Sequence, residues 1–201
     1  MALKTLWTRV DSQILELVIG LGLLLVGLFQ VLFPVLGVTG PFPPVDTRDV
    51  RLDTTAQVPH LASGGATLRG THHAELAFGD PGLRDRVLLA APEVARGVLI
   101  IVILSLLMRM ASTFRSGDVF VPANMRRLFT ISTTVLLLGI AAPALDMLTT
   151  DALVGGTPLE SAIEIGFTVQ ASTVVLAILI AALAGAFGHG TRLREDTEGL
   201  V

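Results

Sequence analysis

The chain has 201 residues, of which 52% are hydrophobic and 15% charged, and its mean hydropathy is +0.74. A soluble domain of this size carries roughly a quarter charged residues, so water is not its main solvent. A net charge of −3 argues against a nucleic-acid surface, and the lack of cysteine rules out a disulfide framework, a lipidated-cysteine anchor and thiolate chemistry.

Residues 1–16, which include Lys4 and Arg9, precede the first apolar run, LVIGLGLLLVGLFQVLFPVLGV at 17–38. A helix needs about 20 predominantly apolar residues to cross a bilayer core, and this run supplies them. It is about twice the usual length of a signal-peptide apolar core, and VTGPFPP follows it without a small-x-small cleavage site. It therefore reads as an uncleaved anchor, bent by Pro34 toward its outer end.

Residues 39–93 form the one segment large enough for a domain outside the membrane. PFPP at 41–44 forces extended or turn backbone. Val50 to Thr55 reads as a strand with Val50 and Leu52 on one face. From Ala66 to Phe78, Leu68, Gly70, His72, Ala74, Leu76 and Phe78 alternate with Thr67, Arg69, Thr71, His73 and Glu75, the period of a half-buried strand. Ser63-Gly64-Gly65 would turn one strand into the next. A segment of roughly 50 residues buries little core alone, so this cap is expected to lean on the helix ends.

Three more runs reach membrane-spanning length: 94–112, 128–148, which contains Pro143, and 165–187. They are separated by a loop at 113–127 and a short loop at 149–164, and followed by a tail at 188–201. Lys4, Arg9, Arg109, Arg115, Arg126, Arg127, Arg192 and Arg194 fall on one side of this threading, and 149–164 holds no basic residue. The positive-inside rule then places both termini in the cytoplasm. The expected fold is an all-α membrane protein with four transmembrane helices and a small extracytoplasmic cap containing β-strands between helices 1 and 2.

His60, His72 and His73 are the residues that could suggest a metal. Neighbouring strand residues point to opposite faces and no cysteine completes a ligand set, so they read as polar strand residues. There is no His-Glu-x-x-His helix and no Gly-x-Ser-x-Gly elbow. No catalytic residue, metal or cofactor is assigned, and the protein is not read as an enzyme.

A polar cluster is expected near the outer leaflet from Arg96, Asp146, Glu164, Gln30 and Gln170. A charge in hydrocarbon costs about 3 kcal/mol on insertion scales, which favours pairing of Arg96 with Asp146 or Glu164. Two readings stand: a proton or solute site, and an interfacial clasp between helices and cap. Ala177, Ala181 and Gly185 recur at four-residue spacing, which lets another helix approach closely, either within the bundle or in a second copy of the chain.

Between the second and third runs lies SGDVFVPANMRRLFTIS, residues 116–132. Pro122 suits the first turn of a helix, Phe120 and Val121 suit the interface, and Arg126 and Arg127 suit the level of lipid phosphates. The chain closes on LREDTEGLV, with Glu195, Asp196 and Glu198 clustered. The acidic tail either docks on the basic loop, in a salt-dependent way, or stays solvated.

These two motifs resemble those of a bacterial family of small four-span membrane proteins known as domain of unknown function 2975. Gly117, Phe120, Asn124, Arg127 and Leu128 match its Gly-x-x-Phe-x-x-x-Asn pattern and the following Arg-Leu; Leu193, Glu195, Asp196, Glu198 and Val201 match its closing motif. The resemblance implies a bacterial cytoplasmic membrane and a cytosolic helix-turn-helix regulator as partner. The expected function is a non-enzymatic interaction or signal-coupling protein whose cytoplasmic surface comprises Gly117, Phe120, Asn124, Arg126, Arg127, Leu193, Glu195, Asp196 and Glu198. The alternative is a small transporter or permease-like subunit with an outer-leaflet polar site.

Overall fold

The computed structural model describes residues 2–57, 62–63, 66–67, 70–115 and 121–198, with side chains described at 13–57, 70–115 and 121–191. Ten elements follow in order: α1 (Ala2–Val26), a π-helical turn (Gly27–Leu32), α2 (Phe33–Thr39), β1 (Thr47–Arg51), β2 (Ala62–Ser63), β3 (Ala66–Thr67), β4 (His73–Ala77), α3 (Leu83–Arg115), α4 (Pro122–Val154) and α5 (Ala171–Glu198). Four helical stretches are long and apolar enough to cross a membrane: Gln13–Thr39, Leu83–Arg115, Pro122–Val154 and Ala171–Thr191. The chain divides into two units, one of residues 1–32, 93–142 and 169–201, the other of residues 33–92 and 143–168.

In the first unit, the first span runs antiparallel to α3. The pairings Glu16 with Arg115, Gly20 with Met108, Gly22 with Leu104 and Gln30 with Gly97 descend along both helices. Glycine is required at 97, where a Cβ would lie 2.9 Å from both Gln30 Cβ and Val31 Cγ2. Association in lipid depends on such close packing, because lipid tails are as apolar as leucine. The π-helical turn lies just before Pro34. Proline cannot donate to the carbonyl four residues back, here that of Gln30, and its ring crowds it; a wider turn relieves both.

Helices α4 and α5 also run antiparallel. The Ser132 hydroxyl donates to the Ala177 carbonyl at 2.7 Å, Gly139 faces Thr173 and Gly188 faces Met125. Met110, Leu128, Ile131, Val135, Ala177 and Ala184 form the core of this unit, drawn from α3, α4 and α5. The start of α4 at Pro122 agrees with the expected first-turn position. Helix α5 begins at Ala171, not at 165, because residues 162–164 are taken up by strand pairing in the other unit. Gln170 therefore precedes the helix, exposed, with its carbonyl accepting the Thr173 N–H.

The second unit is built on the antiparallel pair β1–β4, registered Thr47 to Ala77 and Arg51 to His73. On the free edge of β1, Leu52 bridges Ile163 and the Glu164 N–H donates to the Arg51 carbonyl. Val50, Leu76, Val154 and Ile163 form the core beneath, with Leu52, Ala74 and Phe78 against it. The expected shared face of Val50 and Leu52 is present, although β1 starts earlier than Val50. The expected long strand from Ala66 to Phe78 is instead two: β3 pairs with β2 around residues 64–65, and β4 pairs with β1. At Gly70 the backbone passes so close to the Ala56 carbonyl that no Cβ fits.

Candidate functional site

Two polar constellations stand out, one in each unit. The first joins the end of α3 to the start of α4. Asn124 is 0% exposed. Its Nδ2 donates to Thr113 Oγ1 at 3.0 Å, and its Oδ1 accepts from Arg127 Nη1 at 2.9 Å. The same Nη1 donates to the Arg109 carbonyl at 2.9 Å, while the Thr113 hydroxyl reaches the Met110 carbonyl at 2.7 Å. The last carbonyls of a helix lack intrahelical donors, and a cation near that end opposes the helix dipole. Arg127 meets both needs. Position 124 follows from local structure: Pro122 opens the helix, and the Asn124 N–H still reaches the Val121 carbonyl at 2.9 Å, so the side chain points back at α3.

Of the surface expected at this end, Asn124 is turned inward and bonded to Thr113 and Arg127. Arg127 is half-buried, and Arg126 is exposed. Gly117 and Phe120 lie outside the described residues. The backbone of Leu193, Glu195, Asp196 and Glu198 continues α5, but their side chains lie outside the described ones. Nearby, Arg115 Nη1 meets Glu16 Oε2 at 3.1 Å, the ion pair found among the described residues.

The second constellation surrounds Arg48 on β1. Its Nη1 donates to the hydroxyls of Thr149 and Thr150 at 2.9 and 3.1 Å, and its Nη2 to the carbonyls of Leu88 and Leu89 at 2.6 and 3.0 Å. Pro92, four residues after Leu88, has no N–H to give that carbonyl; the guanidinium takes its place. Burial lowers the Arg48 pKa, and the Asp146 carboxylate acts against that shift.

Beside it opens a cavity of about 300 Å³ carrying the charged side chains of Asp49, Arg51, Asp146 and Glu164, with His73 at its edge. None of these carboxylates pairs with Arg51 in the structure. Among the described residues there is no group of three or more His, Asp or Glu placed to hold a metal ion. His72 Nδ1 lies 3.2 Å from the Leu52 carbonyl, and His60 lies outside the described residues.

The expected outer cluster thus divides. Asp146 and Glu164 line the cavity. Arg96 is exposed and forms no ion pair among the described residues, and the Asp146 carboxylate acts electrostatically on Arg48. Gln30 is half-buried in the π-helical turn, with its Oε1 enclosed and without a hydrogen-bond partner. In the small-residue row of α5, Ala177 is buried against α4, whereas a Cβ at Gly185 would meet nothing within 4 Å. Sequence reading missed Arg48 by treating the arginines of 39–93 alike. The signal was present: Arg48, Val50 and Leu52 share one face of a strand.

Fold and sites together define a multi-pass membrane protein with a small β-bearing unit. No family model, no curated protein and no solved structure matches the chain.

Proposed function

We propose that this is a non-enzymatic membrane protein that couples a signal to a cytosolic partner through the 113–127 loop and the carboxyl-terminal tail. The observation that carries this reading is the buried Asn124, bonded to Thr113 and Arg127. A loop that only joins two spans has no need of a fully buried amide. This one ties the exit of α3 to the entry of α4, with Arg126 exposed in the first turns of α4. Placement in a bacterial cytoplasmic membrane, with both termini inside, follows the distribution of basic residues and the motif resemblance. A helix-turn-helix regulator as the partner is what the motif resemblance alone implies. The test is a mild-detergent pull-down of the intact chain, the chain truncated before Leu193, and Asn124→Ala. A cytosolic protein recovered only with the intact chain supports the reading. Identical recoveries from all three remove it.

The mixed-charge cavity favours a second reading, a small transporter or permease-like subunit. Charges that are not spent on one another remain free for a solute. Uptake by vesicles containing the intact protein, lost on Glu164→Gln and Arg51→Gln, would support it; equal uptake by empty vesicles would not.

A further inference from the structure

We propose that a groove between α4 and α5 holds one acyl chain of an anionic lipid, with the lipid phosphate on Arg126. The groove encloses about 350 Å³ and is walled by Pro122, Met125 and Phe129 of α4 and Gly185, Gly188 and His189 of α5. Its walls are mostly hydrocarbon, sulfur and bare backbone. The Met125 sulfur fills the space at Gly188, lying 2.6 Å from where a Cβ would stand; at Gly185 the space is open.

Both helices are long and apolar enough to cross a membrane, so what lies against an open apolar groove on them is lipid. The groove lies toward one end of each apolar stretch, where acyl chains meet headgroups. Arg126 stands four residues after Pro122, hence on the same helix face. It is exposed and makes no ion pair among the described residues. Its neighbour Arg127 is committed to Asn124 and the Arg109 carbonyl. One arginine therefore ties α3 to α4, and the other is left exposed on α4 next to Met125, which lines the groove. A guanidinium grips phosphate through two parallel hydrogen bonds, and basic pockets between spans favour anionic headgroups. A headgroup that carries its own cation gains less there.

Native mass spectrometry of the full chain, released from micelles doped with equal phosphatidylglycerol and phosphatidylcholine, tests this. The expected result is retention of phosphatidylglycerol in preference to phosphatidylcholine. Retention should fall about tenfold in Arg126→Gln, the loss of one charge-assisted pair, and comparably in Gly185→Leu, whose side chain fills the groove. Arg96→Gln, the same charge change on α3, should leave retention unchanged. If Gly185→Leu does not fold, Arg126→Gln decides alone. Equal retention of the two lipids, or unchanged retention in Arg126→Gln, overturns the proposal. Retention that rises when the chain is cut before Leu193 assigns the groove to the tail and overturns it. A dimer mass lost in Gly185→Leu with lipid retention intact assigns it to a second copy and does the same. The proposal is independent of the coupling reading, because lipid retention and recovery of a cytosolic protein are separate readouts.

Discussion

Arg48 donates through Nη2 to the Leu88 carbonyl at 2.6 Å, the carbonyl that Pro92 leaves without its helical partner. A proline inside a helix removes one backbone hydrogen bond, and here a strand residue restores it from outside. Arg48→Met keeps the stem and removes the donors, stranding Leu88. The expected loss of stability is about 1–3 kcal/mol, the cost of an unsatisfied buried acceptor. Pro92→Ala returns an N–H to the same carbonyl, so Arg48→Met should cost less in that background. A double-mutant cycle on unfolding in mixed micelles checks this; additive costs would refute the relationship.

The Asp146 carboxylate offsets part of what burial does to Arg48, and its own side chain is exposed. Asp146→Asn should destabilise the protein by about 0.2–1 kcal/mol, the range of exposed charge pairs. In an Arg48→Met background the same change should cost nothing, since no cation remains beneath it. Equal costs in both backgrounds would show that Asp146 acts on something else.

Raising the pH bears on the same group. An arginine whose pKa is lowered by folding is more costly to keep charged in the folded state than in the unfolded one. Its penalty is fully present below the folded pKa and is relieved only as alkalinity exceeds it. Stability near neutral pH should therefore show no titration from Arg48, and Arg48→Met should leave the pH profile between about 6 and 8 unchanged in shape, as expected of a group that titrates far above that range. Unfolding midpoints measured across that range test it.

The spans were legible in the sequence because bilayer thickness fixes a minimum apolar length, and that constraint is local. Their ends were not. Helix α3 starts at Leu83 and α4 runs on to Val154, well beyond the hydrocarbon lengths, and α3 does so through Pro92, whose missing hydrogen bond Arg48 replaces from outside. The late start of α5 depends on Leu52 meeting Ile163, a pairing more than a hundred residues apart that no local period encodes. Arg48 lay between these cases. Its inward face was readable from Val50 and Leu52, but its partners were set by Pro92 and the threonines of α4, which only the fold brings near. Asn124 was legible as unusual, and its inward direction was not.

Two glycines with different surroundings give opposite expectations. At Gly97 a methyl group would press on Gln30 and Val31, with Gln30 O only 3.2 Å away. Gly97→Ala should destabilise the pairing of the first span with α3 by about 1–3 kcal/mol, the usual cost of overpacking. Gly185→Ala meets open space, and the gain in helix propensity is at most about 1 kcal/mol. Unfolding of the two variants side by side, by circular dichroism during a detergent titration, should move in opposite directions. A stable Gly97→Ala would mean that the two helices are free to separate.

Asn124 and Thr113 offer the sharpest test of whether the loop flanks form one unit. Removing the amide by Asn124→Ala takes away a donor to Thr113 and an acceptor for Arg127 at once, yet neither partner is stranded. Thr113 keeps the Met110 carbonyl, and Arg127 keeps that of Arg109. The cost should therefore sit within the range of interhelical hydrogen bonds in membranes, about 0.6–1.7 kcal/mol, plus that of the cavity left behind. Thr113→Val should cost less. The double variant should cost less than the sum by about 0.5 kcal/mol or more, because the bond between them is lost only once. Asn124→Asp keeps the acceptor for Arg127, and the Thr113 hydroxyl, 3.1 Å from Oδ1, can donate to the carboxylate where it now accepts from the amide. It should therefore cost less than Asn124→Ala; an equal cost would mean that the Nδ2 donor carries the contact.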